Sequence, residues 1–238
     1  MEKKQSHIMY VIPNLFTASS CFFGILSVIN SMNGNYQKAI IYVFISLLLD
    51  GLDGRVARLT NTTSKFGVEF DSFADIVAFG VAPAVLFYTF VGNEFGKIGS
   101  LATGIFVVFG AIRLARFNIT TSQNEPNVFI GLPIPTAAIS ICIWINFYIE
   151  HKINMYWILI VLMFILGILM VSNIRYPSFK KINFKGNKFG KILVIAILIL
   201  SILYIRPIEF FVVLTTIYIF YGIFRAVYTI YLAKFKKR

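Results

Sequence analysis

Apolar runs long enough to cross a bilayer recur along nearly the whole chain, at roughly 13–32, 39–59, 67–91, 98–118, 133–149, 154–173, 190–205 and 208–232. About 20 apolar residues match the hydrocarbon thickness of a membrane, and within lipid a helix satisfies its own backbone along the way. Eight such runs take up more than two-thirds of the 238 residues. The loops are therefore short, and no separate soluble domain fits. Charged residues make up 13% of the chain, against about 25% in soluble domains. The expected fold is all-α: a polytopic integral membrane helical bundle of about eight transmembrane helices, with one domain over 1–238. A disordered chain, a soluble enzyme and a nucleic-acid-binding domain are excluded.

A net charge of +12 would suggest a nucleic-acid partner in a soluble protein. Here topology accounts for it. With the N-terminus in the cytoplasm and eight alternating helices, only Lys38, Lys97, Lys152 and Arg206 of the 22 lysines and arginines face outward. The others, including a basic loop near 175–191, face the cytoplasm, as the positive-inside rule requires. Both termini are expected there, and no nucleic acid is needed. Attraction to the anionic head groups of membrane lipids is a secondary effect. Cys21 and Cys142 lie in apolar runs without metal-ligand spacing, so neither a disulfide framework nor a zinc site is expected. The first run follows Lys3 and Lys4 and is long enough to be kept as a span instead of being cleaved as a signal peptide.

Four of the ten acidic residues, Asp50, Asp53, Asp71 and Asp75, fall inside or at the ends of two neighbouring apolar runs. An Asp near the centre of a membrane helix costs about 2.5–3.5 kcal/mol, so these four must face a wet cavity. Spacings of three and four residues put each pair on one helix face. Two antiparallel helices joined by a short loop near 60–66 would then bring the pairs together. Converging carboxylates form a hard oxygen site for Mg²⁺, Mn²⁺ or Ca²⁺, and a bound cation keeps close carboxylates ionised. One alternative pairs the same aspartates with Arg55, Arg58, Arg113 and Arg116 as buried salt bridges. A second makes them the lining of a divalent-cation transporter. Against the transporter, the acids cluster on one side and do not recur in symmetric repeats.

The residues between the acids sharpen the first reading. Gly54, Ala57 and Gly67 are small enough to let a ligand or a backbone approach closely, and Arg58 can grip phosphate oxygens. Together these residues describe a diphosphate site. Residues 50–75 read D-x-x-D-G-x-x-A-R-x(8)-G-x-x-x-D-x-x-x-D, and in this the chain resembles the CDP-alcohol phosphatidyltransferases at every defined position. The resemblance implies transfer of a phosphatidyl group from CDP-diacylglycerol to an alcohol, with release of CMP. It also implies a helical membrane bundle, commonly a homodimer, in the cell membrane of a prokaryote. A two-metal site for Mg²⁺ or Mn²⁺ would face the cytoplasm. Carried onto matching residues, Asp50, Asp53 and Asp71 are metal ligands, and Asp75 is the general base that also touches the second metal. Gly54, Ala57, Arg58 and Gly67 would line the CDP pocket, with Asn14 and Thr17 as polar contacts and Pro83 beside the cytosine. Asn14 and Thr17 read equally well as a helix-start residue after Pro13 and a buried threonine, and Pro83 as a helix kink.

Which alcohol accepts the group has to come from outside that motif. Arg113-Leu114-Ala115-Arg116-Phe117-Asn118 and Gly131-Leu132-Pro133-Ile134-Pro135 are similar to the branch of the family that uses L-serine. So is Asp71-Ser72-Phe73-Ala74-Asp75 followed by Ala78-Phe79-Gly80-Val81-Ala82-Pro83. Serine carries a carboxylate, for which Arg113 or Arg116 supplies a bidentate partner; both arginines also read as positive-inside anchors. Glycerol 3-phosphate and inositol phosphate need cations too, so these acceptors stay open. The chemistry expected is direct attack by the acceptor hydroxyl, its proton taken by Asp75, with no covalent enzyme intermediate required.

Overall fold

The computed structural model describes residues 8–60, 62, 64–120, 128–177 and 199–235. The first two helices, α1 (Ile8–Met32) and α2 (Tyr36–Thr60), form an antiparallel hairpin. Gly34 turns the corner at φ +73°, a left-handed conformation that costs glycine nothing. Serines close the hairpin. Ser27 Oγ donates to Ala39 O (2.9 Å), while Ser20 and Ser46 each donate to the other's carbonyl at 3.1 and 2.9 Å. Such hydroxyls act as glue where helix contacts gain nothing from expelling water. They also fix the register that carries Thr17 to the level of Asp53.

One continuous helical stretch comes next: α3 (Lys65–Asp75), a π turn over Ile76–Val81, and α4 (Ala82–Phe90). Pro83 has no N–H and its ring would collide with the carbonyl four residues earlier in a regular helix. The wider π turn, in which the Ala82 N–H reaches Val77 O, takes up that misfit. At this point α1 crosses at close range, since a Cβ on Gly24 would stand 2.8 Å from Ala78 Cα. A 3₁₀ turn (Gly92–Phe95) leads to α5 (Gly96–Thr120).

The second half contains β1 (Val128–Ile130), α6 (Ile134–His151), α7 (Trp157–Val171), β2 (Arg175–Pro177), α8 (199–205 as described) and α9 (Pro207–Phe235). The β1–β2 ribbon pairs Phe129 with Tyr176 in antiparallel register and departs from the all-helical expectation. With three residues per strand it is too short to show a period of its own. Alanines 39, 74, 78, 82, 84, 102, 137 and 138 are all buried, so the helices meet through small side chains. Leu15, Phe22, Phe220 and Phe224 point outward, a surface suited to lipid.

Four stretches are long and apolar enough to cross a membrane: Val11–Met32, Lys65–Phe90, Gly92–Thr120 and Pro207–Arg225. Three more expected spans exist as α2, α6 and α7 but are less plainly membrane-like. Asp50, Asp53, Arg55 and Arg58 charge the end of α2, Glu150 and His151 close α6, and α7 has 15 residues. Most of the expected seventh span, from 190 to 198, and the basic loop from 178 onward lie outside the described residues.

Gly24→Ala should lower the apparent melting temperature in detergent. Overpacking of this kind costs about 1–3 kcal/mol, or roughly 2–4 °C per kcal/mol in a chain of this size. Gly104→Ala in α5, whose Cβ meets nothing within 4 Å, should hold or raise it, because it removes chain entropy from the unfolded state.

Candidate active site

The α1–α2 register sets the Thr17 hydroxyl 2.7 Å from Asp53 Oδ2, to which it donates. Asp53 is 6% exposed. One carboxylate oxygen from each of Asp50, Asp53 and Asp71 lies within 4.8 Å of the others, so the two sequence-adjacent pairs do meet across α2 and α3. Asp50 also lies within hydrogen-bonding reach of Asp71 and Asp75. Asp75 stands beside the three-carboxylate cluster, not inside it. Among the described residues, no salt bridge joins any of the four to Arg55, Arg58, Arg113 or Arg116, and Asp71 Oδ1 is buried without a hydrogen-bond partner. Like charges this close, with a lone pair directed at no donor, fit a hard divalent cation better than a salt-bridge network.

A cavity opens next to the cluster. It is lined by Pro13, Asn14, Thr17, Asp53, Gly54, Ala57, Arg58, Thr62, Ser64, Gly67, Val68 and Asp71. Six of the seven residues expected around the nucleotide are therefore together on its wall. The seventh, Pro83, is buried in the core at the start of α4 and is not part of the lining. Gly67 explains how α3 comes so near α1: a Cβ there would stand 3.2 Å from Asn14 Oδ1 and 3.1 Å from Ser64 Oγ. Gly54 has open space where a Cβ would be, which keeps the cavity clear. The sequence reading missed Thr62 and Ser64. Ser64 was discoverable, since its hydroxyl caps α3 by accepting the Gly67 N–H at 3.0 Å, the usual role of a serine before a helix.

The last turns of α5 bring three polar side chains to the same end of the bundle. Arg113 is 6% exposed, its guanidinium lies 5.2 Å from the Phe117 ring centroid, and its Nε has no hydrogen-bond partner. Its charge acts on Asp75. Arg116 is arranged differently. It donates to the carbonyls of Ile130, Met170, Val171 and Ser172 and to Asn173 Oδ1, at 3.0–3.3 Å. Most of those carbonyls are ones that the end of α7 would otherwise leave unsatisfied. Asn118 Nδ2 donates to Ser72 Oγ at 2.8 Å.

A helical membrane bundle with a carboxylate cluster beside a small-residue cavity defines the class, and the chain belongs to the CDP-alcohol phosphatidyltransferase family, whose model matches residues 10–169. Among its relatives is the CDP-diacylglycerol–serine O-phosphatidyltransferase of Helicobacter pylori strain J99, 48% identical over 223 residues and 92% of each chain. The Methanocaldococcus jannaschii protein of the same name is 35% identical over 91% of this chain and 98% of its own. The archaetidylserine synthase of Methanothermobacter thermautotrophicus is 35% identical over 74% of each chain.

Arg116→Lys should lower the apparent melting temperature, because an ammonium cannot serve oxygens spread over so wide an arc. Lost hydrogen bonds to a charged group cost about 1.5–3 kcal/mol. Thermal unfolding followed by tryptophan fluorescence would measure it.

Proposed function

We propose that the chain transfers the phosphatidyl group of CDP-diacylglycerol to the hydroxyl of L-serine, giving phosphatidylserine and CMP. The observation that carries this reading is the convergence of Asp50, Asp53 and Asp71 beside a cavity whose wall holds Asp53 and Asp71 together with the family's small residues. The serine-using activity in the names of the relatives supports the choice of acceptor. Asp50, Asp53 and Asp71, with a share from Asp75, would hold Mg²⁺ or Mn²⁺, and four carboxylates offer enough oxygens for two ions. Such a cation, when bound, neutralises the diphosphate and stabilises the departing CMP.

The nucleotide lies in the cavity against Asn14, Thr17, Gly54, Ala57 and Gly67, and Arg58 grips a phosphate oxygen. Asp75 accepts the proton of the serine hydroxyl. The freed oxygen attacks the phosphorus that carries the lipid, a new P–O bond forms, and the P–O bond to CMP breaks in line. Arg113 holds the serine carboxylate; its buried Nε, without a partner, leaves donor capacity for it. Arg116 has its donors committed to the backbone and serves as scaffold. In the membrane we read the chain as one domain of eight helices, with both termini and the site on the cytoplasmic side of a prokaryotic cell membrane. Basic residues gathered on that side support this orientation, and the family resemblance supports a homodimer.

Purified protein given CDP-diacylglycerol and Mn²⁺ or Mg²⁺ should release CMP when L-serine is added, and not with glycerol 3-phosphate or inositol phosphate. Asp75→Asn should reduce the rate by at least about 10²-fold, and EDTA should abolish it reversibly. Arg113→Gln should raise the KM for serine about tenfold or more, the scale of one charge-assisted hydrogen bond. Release with another acceptor alone would overturn the serine assignment while keeping the chemistry.

A further inference from the structure

Ser72 and Asn118 take no part in the reaction described above, and the role argued for them rests on the reading of Asp75 as base and Arg113 as the acceptor's cation. Ser72 sits on α3 between Asp71 and Asp75. Its hydroxyl donates to Val68 O at 3.1 Å and so keeps a lone pair for the Asn118 amide at 2.8 Å. Arg113, five residues before Asn118 on α5, puts its charge on Asp75, three residues after Ser72 on α3, so the Ser72–Asn118 bond falls about one turn from that pair. The two helices are thus tied at two heights, once by charge and once by a hydrogen bond.

The second tie matters because of the helix defect just beyond Asp75. A regular helix would transmit its rotational setting from α4 straight into α3. The π turn over Ile76–Val81 offsets that setting, since one extra residue shifts the helical phase by about 100°. Which way Asp71 and Asp75 point therefore depends also on the contacts α3 makes for itself, with α1 along the Gly67 face and with α5 through Asn118. The Asn118–Ser72 contact is a side-chain hydrogen bond that joins α3 directly to α5. We propose that Asn118 and Ser72 form a positioning pair that sets the roll of α3, so that the Asp75 carboxylate and the Arg113 guanidinium address the same acceptor molecule.

The test compares the full-length wild type with Ser72→Ala, Asn118→Ala, the double variant and Ser72→Thr, using CMP release with serine and CDP-diacylglycerol varied in turn. Each alanine variant should lower kcat/KM for serine about three- to tenfold, the worth of one hydrogen bond. The KM for the CDP lipid should stay within about twofold. The double variant should be no worse than the poorer single one, because both remove the same contact. Ser72→Thr, which keeps the hydroxyl, should restore the rate. Additive losses, an equal loss towards the CDP lipid, or a fall in melting temperature that threonine does not rescue would overturn the pairing. If the wild type depends on serine and the alanine variants match it, the positioning role alone is wrong. A wild type that does not respond to serine would sink the acceptor reading beneath it, and the pair with it.

Discussion

The Asp50, Asp53 and Asp71 carboxylates each bring an oxygen within 4.8 Å of the others, with Asp53 buried and the other two partly buried, where like charges repel more strongly than in open solution. Much of the nearby structure serves to hold them there. A serine-closed α1–α2 hairpin brings a hydroxyl to Asp53. The absence of a side chain at Gly67 lets α3 approach α1. Arg113 supplies opposite charge at Asp75 without closing into a salt bridge. Had these acids paired with arginine, the cluster would be neutral and closed. Left without such partners, it is an electrostatic hole for a doubly charged ion.

The small residues around the site have distinct duties. Gly24 and Gly67 permit helix crossings that a Cβ would crowd, whereas Gly54 borders open volume. The first two concern how closely backbones can pack and the third concerns what a ligand can occupy. Read along the chain all three look alike, and only their surroundings separate them. The two α5 arginines divide in a similar way. Arg113 keeps donor capacity next to the acids, while Arg116 is spent on carbonyls at the end of α7 and before α6.

Local spacing made the helices and the aspartate cluster legible from the sequence. Asp50 with Asp53 and Asp71 with Asp75 each share a face because the helical period requires it, and a short connection brings the two faces together. Asn14 and Thr17 could be guessed only through the family likeness, since nothing local marks a polar residue on α1 as facing α2. The bond from Asn118 to Ser72 spans 46 positions and depends on the relative roll of two helices, which no single-helix period contains. Pro83 was legible as a helix defect, since a proline in an apolar run signals one, and the structure puts a π turn just before it, in the core and away from the cavity beside the aspartates.

Arg116 also bears on the order in which the bundle can be made. Its partners lie between 14 and 57 residues further along the chain. During synthesis, α5 therefore emerges with a guanidinium whose eventual acceptors do not yet exist, and until α7 has been made, water must supply their place. The end of α5 thus gains its full set of hydrogen bonds only once α7 is in place. Arg113 and Asn118 ride on that same end of α5, so their setting beside the aspartates of α2 and α3 also depends on residues made after them.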